Sequence, residues 1–228
     1  MDKKFVSRAG EKLDFALSEF NLAVTGLICA DFGCSTGGFT DCLLKRGAAK
    51  VYAVDTDYGE LAWTLRNDPR VVVMEKTNAM HVILSETVDL VTVDVSWTKQ
   101  EFVLPNALKQ LKPDFFSPHG RENVTESDRS EGNLIQSVKD RHPSPLKGEG
   151  HKESVIISLI KPHYEADKRL LHKGKLTDED AQRVTQETIA KIEQTLPLKS
   201  VSVIKSPILG RKGENSEYLV LWELHKVL

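Results

Sequence analysis

The residue order predicts a doubly wound α/β fold, a mostly parallel sheet with helices on both faces. Three observations carry that expectation. From Leu27 onward five short apolar, β-branched runs alternate with amphipathic stretches. The first of those runs ends in a glycine-rich segment, Gly33-Cys34-Ser35-Thr36-Gly37-Gly38. The last two apolar runs of the chain are separated by a loop alone.

Each element follows from its local pattern. Leu27–Asp31 reads as the first strand and Phe39–Arg46 as the helix after it. Val51–Asp55 is the second strand, with Leu61–Arg66 on the second helix. Val71–Met74 and Asp89–Asp94 are the third and fourth strands, and Val155–Ile160 is the fifth, stopped by Pro162, which cannot donate to a sheet ladder. Strands that are almost wholly apolar and separated by helices belong in a parallel sheet buried on both faces. After a helix over Asp178–Thr195, the runs Val201–Ile204 and Tyr218–Trp222 have no room between them for a crossover. They are therefore expected to pair antiparallel. At the start of the chain Ser7 is placed as the cap of a leading helix that buries Leu13, Phe15, Ala16, Leu17 and Phe20. Five alternating strands plus a terminal antiparallel pair is the layout of the seven-stranded, Rossmann-like methyltransferase sheet. The pattern alone does not separate it from other nucleotide-binding folds.

Composition sets bounds on the function. The chain has 228 residues, 40% of them hydrophobic and 28% charged, an ordinary globular balance. It is read as one domain over 1–228, with a leading helix segment at 1–25. Residues 117–153 carry no aromatic side chain and few large aliphatic ones. Such a stretch cannot offset its ordering entropy, so a disordered insertion is expected there. No apolar run approaches the roughly 20 residues that span a bilayer, and the first residues lack the apolar core of a secretory signal. A cytoplasmic protein without a membrane partner is the expectation. Cys29, Cys34 and Cys42 lack the paired spacing of a zinc site and read as small buried apolar residues. His81, His163 and His172 are scattered, and no metal is expected. With 31 basic residues against 33 acidic ones the net charge is −2. A nucleic-acid partner would need a local basic face, for which Lys168-Arg169, Lys173, Lys175 and Arg211-Lys212 are the candidates. Nothing in the residues sets an oligomeric state.

The chemistry is read from strand ends. In open α/β sheets ligands bind beyond the carboxyl ends of the strands. The segment Asp31-Phe32-Gly33-Cys34-Ser35-Thr36-Gly37-Gly38-Phe39 sits at such an end, where glycines let a ligand approach the backbone. Asp55, 24 positions after Asp31, closes the second strand, where an acid accepts hydrogen bonds from both hydroxyls of a ribose. The glycine spacing is not the dinucleotide fingerprint, and an acid at Asp31 suits a pyrophosphate poorly. S-adenosyl-L-methionine, with a positive centre and an amino-acid tail, tolerates acids at both strand ends. Methyl transfer is therefore favoured over hydride transfer. Asp94 closes the fourth strand and Lys161 the fifth, while Glu217 begins the last strand. An antiparallel last strand puts its start on the same sheet edge, and Lys12 on the leading helix can lie over it. For displacement at a ribose oxygen, Lys161 would act as base, with Lys12 supplying a neighbouring cation to lower its pKa and Asp94 and Glu217 orienting the amines.

Six segments carry a resemblance: Ser7-Arg8-Ala9-Gly10-Glu11-Lys12-Leu13, Ser35 to Leu43, Val51-Tyr52-Ala53-Val54-Asp55, Val93-Asp94-Val95-Ser96, Leu159-Ile160-Lys161-Pro162 and Glu214-Asn215-Ser216-Glu217-Tyr218. They are similar to the FtsJ-like ribosomal RNA methyltransferases of the hemolysin A type. The resemblance implies a seven-stranded S-adenosyl-L-methionine domain that methylates ribose 2′-oxygens of cytidines in ribosomal RNA, free or in a ribosomal subunit. It places a Lys-Asp-Lys-Glu tetrad on Lys12, Asp94, Lys161 and Glu217. Cofactor contacts fall on Asp31, Gly33, Ser35, Thr36, Gly37, Gly38, Phe39, Asp55, Asp94 and Asn78. Members commonly carry a small S4-type RNA-binding domain ahead of the Ser7 motif, and this chain is expected to lack it. Three other readings stay open on the residues: an idle cofactor- or RNA-binding module, a small-molecule O-methyltransferase, and a secreted cytolysin.

Overall fold

A computed structural model describes residues 4–113, 154–210 and 215–225. The expected insertion at 117–153 and the pair Arg211-Lys212 lie outside the described residues. Chain order is α1 (Ala9–Glu19), β1 (Ile28–Phe32), α2 (Gly38–Lys45), β2 (Lys50–Val54), α3 (Trp63–Arg66), β3 (Val71–Met74), β4 (Leu90–Val93), α4 (Gln100–Gln110), β5 (Val155–Ile160), α5 (Pro162–Glu165), α6 (Asp178–Thr195), β6 (Leu198–Lys205) and β7 (Tyr218–Leu224). A single 3-10 turn over Lys168–Leu170 follows α5.

The described strands form one seven-stranded sheet in the order β3-β2-β1-β4-β5-β7-β6. Strands β1 to β5 run parallel. The last strand, β7, enters antiparallel between β5 and β6, as the short β6–β7 connection requires. Alternate side chains feed opposite layers. Ile157, Leu159, Leu219 and Leu221 join a core with Leu13, Leu17, Phe39 and Leu43 from α1 and α2. Ile156, Ile160, Val220 and Trp222 face the other way, toward Val103, Leu104, Ile189 and Ile192 of α4 and α6. The one polar atom of Trp222 is satisfied within that layer, Nε1 donating to Ser158 Oγ at 2.9 Å. Among the described residues no helix is long and apolar enough to cross a membrane.

Helix starts show which local signals were decisive. Thr177 caps α6, its Oγ1 accepting from the Asp180 amide at 3.0 Å, and three acids occupy the first turn at the positive end of the helix dipole. The leading helix corrects the sequence reading. Its N-cap is Arg8, without a side-chain cap, and Ser7 contributes its carbonyl, which accepts from the Gly10 amide at 3.1 Å. Leu13, Ala16, Leu17 and Phe20 are buried as expected, whereas Phe15 is only half-buried.

Helices α1 and α2 meet at two glycines. A Cβ on Gly38 would overlap Ser7 Oγ and stand 2.9 Å from both Ala9 Cβ and the Gly10 nitrogen, and a Cβ on Gly10 would stand 2.8 Å from the Gly38 carbonyl. This close crossing fixes α1 over the carboxyl end of the sheet and so decides where Lys12 can reach.

Candidate functional site

The glycine-rich turn between β1 and α2 is shaped by the protein's own packing. Gly33 sits at φ 85°, and a Cβ there would lie 2.6 Å from the Asp94 carbonyl. At Gly37, with φ 95°, a Cβ would strike Leu65 Cδ1. Both positions combine a left-handed backbone with no room for a side chain. At Gly37 and Gly38 the space a Cβ would take is filled by Leu61, Leu65 and the start of α1, so packing against α1 and α3 is by itself a reason for the doublet.

Two further cofactor residues point inward. The first strand runs one residue past Asp31, and that extra residue puts the Asp31 side chain inside the sheet instead of at its edge. Its carboxylate is fully buried. Thr40 donates to Oδ2 from its amide at 2.9 Å and from its hydroxyl at 2.7 Å, and Thr92 Oγ1 donates to Oδ1 at 3.1 Å. Burial pushes the Asp31 pKa up to about 7, with the nearby Asp94 charge adding to the rise against the Thr40 and Thr92 hydrogen bonds. Asp31 ties β1, β4 and α2 together and does not reach the surface. Phe39 is likewise core, packed between the helices.

The remaining turn residues stay at the surface. Asp55 is half-buried at the end of β2, Oδ2 accepting from the Ser35 amide at 2.7 Å and Oδ1 from the Asp57 amide at 2.9 Å. It thus binds the glycine turn to the β2 end while keeping lone pairs on both oxygens. Ser35 is exposed and Thr36 half-buried, with the Thr36 carbonyl taken by the Ala62 amide. Asn78 is exposed, and its hydrogen bonds are local ones that close a turn with Met80, His81 and Val82.

The four residues placed at strand ends and on the leading helix converge. Lys12, Asp94, Lys161 and Glu217 line one cleft of about 250 Å³. Lys12 Nζ donates to Glu217 Oε2, joining α1 to the start of β7 across 205 positions, and both side chains are buried. A Cβ on Gly210 would sit 2.7 Å from Glu217 Oε1, so glycine is what leaves space for this carboxylate. Lys161 Nζ lies 2.6 Å from Asp94 Oδ1. That approach is off the hydrogen-bonding direction, and Oδ1 is buried without an aligned donor. The amine donates instead to the Val95 carbonyl at 3.2 Å and to Ser96 Oγ at 3.4 Å.

The electrostatics differ from the sequence expectation. Burial, the largest single influence on Lys161, works to lower its pKa, but Asp94 and Glu217 outweigh it and leave the ammonium favoured beyond the ordinary lysine value. Lys12 is paired with Glu217 and is not the cation that was expected to depress Lys161. Next to it, burial and then the Lys161 charge lower the His163 pKa.

Arg8, Trp97 and Tyr164 also line the cleft and were not singled out from the sequence, and His163, read there only as one of three scattered histidines, lines it with them. Arg8 lies one helical turn before Lys12, and Trp97 and Tyr164 each follow a strand-end tetrad residue by three positions. Those spacings were the available signal. Trp97 is 74% exposed at φ 66°, a rare conformation for a bulky residue. Its ring centroid stands 5.1 Å from that of Tyr164, which in turn is 4.1 Å from His163. Among the described residues no group of three or more His, Cys, Asp or Glu is placed to hold a metal ion. Cys29, Cys34 and Cys42 are buried free thiols.

A model of the FtsJ-like methyltransferase family matches residues 5–224. The chain is 36% identical over 225 residues to the 16S/23S rRNA (cytidine-2′-O)-methyltransferase TlyA of Mycobacterium tuberculosis, covering 97% of this chain and 69% of that protein. It is 36% identical over 222 residues to Hemolysin A of Brachyspira hyodysenteriae, covering 95% and 75%. A solved structure that carries a hemolysin label, from Streptococcus thermophilus, superposes with a TM-score of 0.77 at 27% identity, over 99% of this chain and 69% of that one.

Proposed function

The chain belongs to the FtsJ-like methyltransferase family, and from that premise we propose that it transfers a methyl group from S-adenosyl-L-methionine to a ribose 2′-hydroxyl of ribosomal RNA in the cytoplasm. The observation that carries this reading is the convergence of Lys12, Asp94, Lys161 and Glu217 on one cleft beside the glycine turn. The name of the Mycobacterium tuberculosis relative supports ribosomal RNA and the cytidine 2′-oxygen as the target.

The residues present fit the cofactor. Asp55 keeps acceptor capacity for ribose hydroxyls, and the exposed Ser35 and half-buried Thr36 offer polar groups beside it. The backbone of Gly33 runs directly against the end of β4, so the turn and Asp94 share one floor. Asp94 Oδ1 is buried and lies 2.6 Å from the Lys161 ammonium, so the carboxylate sets a negative field at the floor of the cleft, where a positive centre would be stabilised. When bound, the cofactor supplies an electrophilic methyl carbon on a sulfonium.

The chain's own residues would supply alignment and proton removal. With the cofactor and a ribose held in the cleft, Lys161 would take the proton from the hydroxyl that the methyl group is transferred to. A base must start neutral, and Asp94 and Glu217 hold Lys161 as an ammonium in the free protein. Any cation placed on the open side of Asp94 takes up part of that field and lowers the cost of the neutral amine. Glu217 and Lys12 position the cleft wall, and holding the hydroxyl in line removes several kcal/mol of the barrier by pre-paid orientation.

The test is transfer of a labelled methyl to ribosomal RNA. The unsubstituted protein should label RNA, and Lys161→Ala should abolish labelling while binding S-adenosylhomocysteine within a few-fold. Undiminished turnover by that variant overturns the base assignment, and absence of labelling with any ribosomal RNA or subunit overturns the substrate.

A further inference from the structure

We propose that the turn from Lys168 to Lys175 is the surface that holds the phosphate backbone of the RNA substrate, and that Asn215 is the positioning residue that locks this turn to the cleft. The proposal rests on the RNA reading above and names the part of the chain that would engage the RNA.

The charge is local. The chain as a whole is slightly acidic, with a net charge of −2, yet Lys168, Arg169, Lys173 and Lys175 fall within eight positions and are exposed. Asp167 is engaged by Arg169 at 2.7 Å. Two of the acids that follow the turn at the start of α6 are engaged as well, Asp178 by Lys205 and Ser216 and Asp180 by Arg183 and Thr177. Phosphate contacts of this kind position a nucleic acid without reading its sequence.

The turn is built rather than loose. His172 and Lys175 exchange backbone hydrogen bonds of 2.9 and 3.0 Å around Lys173 and Gly174, whose φ values are 51° and 80°. Positive φ at both central residues is the signature of a type I′ hairpin turn. Glycine adopts it freely, but lysine does so at a cost, so the fold holds Lys173 at the tip against its backbone preference.

The turn is also fastened to the cleft. Asn215 is 4% exposed. Its Oδ1 accepts from the Leu176 amide at 3.0 Å, its Nδ2 donates to the Gly174 carbonyl at 3.0 Å, and its own carbonyl accepts from the Gly210 amide at 3.0 Å. Gly210 and Glu217 line the cleft, as do His163 and Tyr164 at the other end of the same segment. The basic turn therefore leaves the cleft wall at Tyr164 and is tied back to its rim through Asn215, two positions before Glu217. A phosphate held by the turn would set the depth at which a ribose enters the cleft.

The experiment measures binding of a ribosomal RNA fragment by fluorescence anisotropy across a salt series, with S-adenosylhomocysteine calorimetry to report an intact fold. Lys168→Ala/Lys173→Ala should weaken RNA binding about tenfold near 0.15 M salt and lower the slope of log K against log salt by about two, one for each phosphate no longer neutralised. Lys109→Ala/Lys199→Ala removes the same charge elsewhere and should change affinity less than twofold. Asn215→Ala releases the turn but keeps its charge, so affinity should fall several-fold with the salt slope unchanged. Equal losses from the two lysine pairs, or an unchanged slope for Lys168→Ala/Lys173→Ala, overturn the docking surface and leave the methyltransferase reading standing. Wild-type affinity in Asn215→Ala removes the positioning role. If the unsubstituted chain binds no RNA, the RNA reading itself fails, and the surface with it.

Discussion

The cleft is closed by two lysine–carboxylate pairs of the same chemistry, and the structure treats them differently. Lys12 and Glu217 are 7% and 4% exposed at the side chain, and their contact is an aligned hydrogen bond. Lys161 and Asp94 are 12% and 17% exposed, approach at 2.6 Å without alignment, and leave Oδ1 short of a donor. The sealed pair joins the first helix to the last strand and behaves as a clamp. The more open pair holds its amine by a 2.6 Å ion pair to Asp94 and by longer hydrogen bonds to the Val95 carbonyl and Ser96 Oγ. One pair builds the wall, and the other is the pair to which the proposed function assigns proton removal.

The largest effect should come from breaking the clamp on one side. Glu217→Gln leaves the Lys12 ammonium buried without its counter-charge, which should destabilise the fold by about 3–5 kcal/mol. Asp94→Asn, at the pair with more access to solvent, should cost less in the same urea titration. Adding Lys12→Met to Glu217→Gln should restore most of the lost stability, since a buried pair replaced by apolar volume is often neutral. A Glu217→Gln protein as stable as Asp94→Asn would erase the distinction between the pairs.

A smaller effect should reach the clamp from outside it. Gly38→Ala sets a methyl 2.9 Å from Ala9 Cβ and from the Gly10 nitrogen, which are backbone-fixed and must move. Overpacking of this kind costs about 1–3 kcal/mol, partly offset by the better helix propensity of alanine. The displacement falls on α1, and Lys12 moves with it while Lys161 and Asp94 do not. Affinity for S-adenosylhomocysteine should therefore hold within about threefold as thermal stability drops. A loss of cofactor-product binding as large as the loss of stability would place α2, and not α1, as the helix that yields.

What could be read from the sequence follows the same division between local and distant causes. Val71–Met74, Val155–Ile160 and the helix Asp178–Thr195 match their predicted bounds, because β-branched runs and an acid-rich capped start act within a few residues. The convergence of the tetrad was also legible, since strand ends share an edge and an antiparallel last strand returns its start to it. Asp31 was misread because a single further residue of strand turns it inward. The packing role of the Gly37-Gly38 doublet was not legible, because it depends on Gly10 and Leu65, which no local pattern brings near. The Lys161 pKa was misjudged for a related reason. Spacing placed Lys12 nearby but did not reveal that Glu217 already neutralises it.

That last misjudgement yields the most delicate test of the open pair. If Lys161 accepts the proton, only its neutral fraction is active, and that fraction grows tenfold per pH unit below its pKa. Because Asp94 and Glu217 hold the ammonium above the ordinary lysine range, log kcat/KM should climb with a slope near one from pH 6.5 to 9.5 without levelling. Asp94→Asn removes the strongest influence that raises the pKa and leaves burial, which lowers it, opposed by Glu217 and Tyr164 alone. The profile should then bend at a lower pH than that of the unsubstituted protein, its midpoint shifted down by about one pH unit or more, equivalent to about 1.4 kcal/mol. The height of the plateau also reflects whatever Asp94 does for alignment, so the position of the bend is the quantity to read. A flat wild-type profile would mean that the proton leaves by another route and that Lys161 serves as a fixed charge.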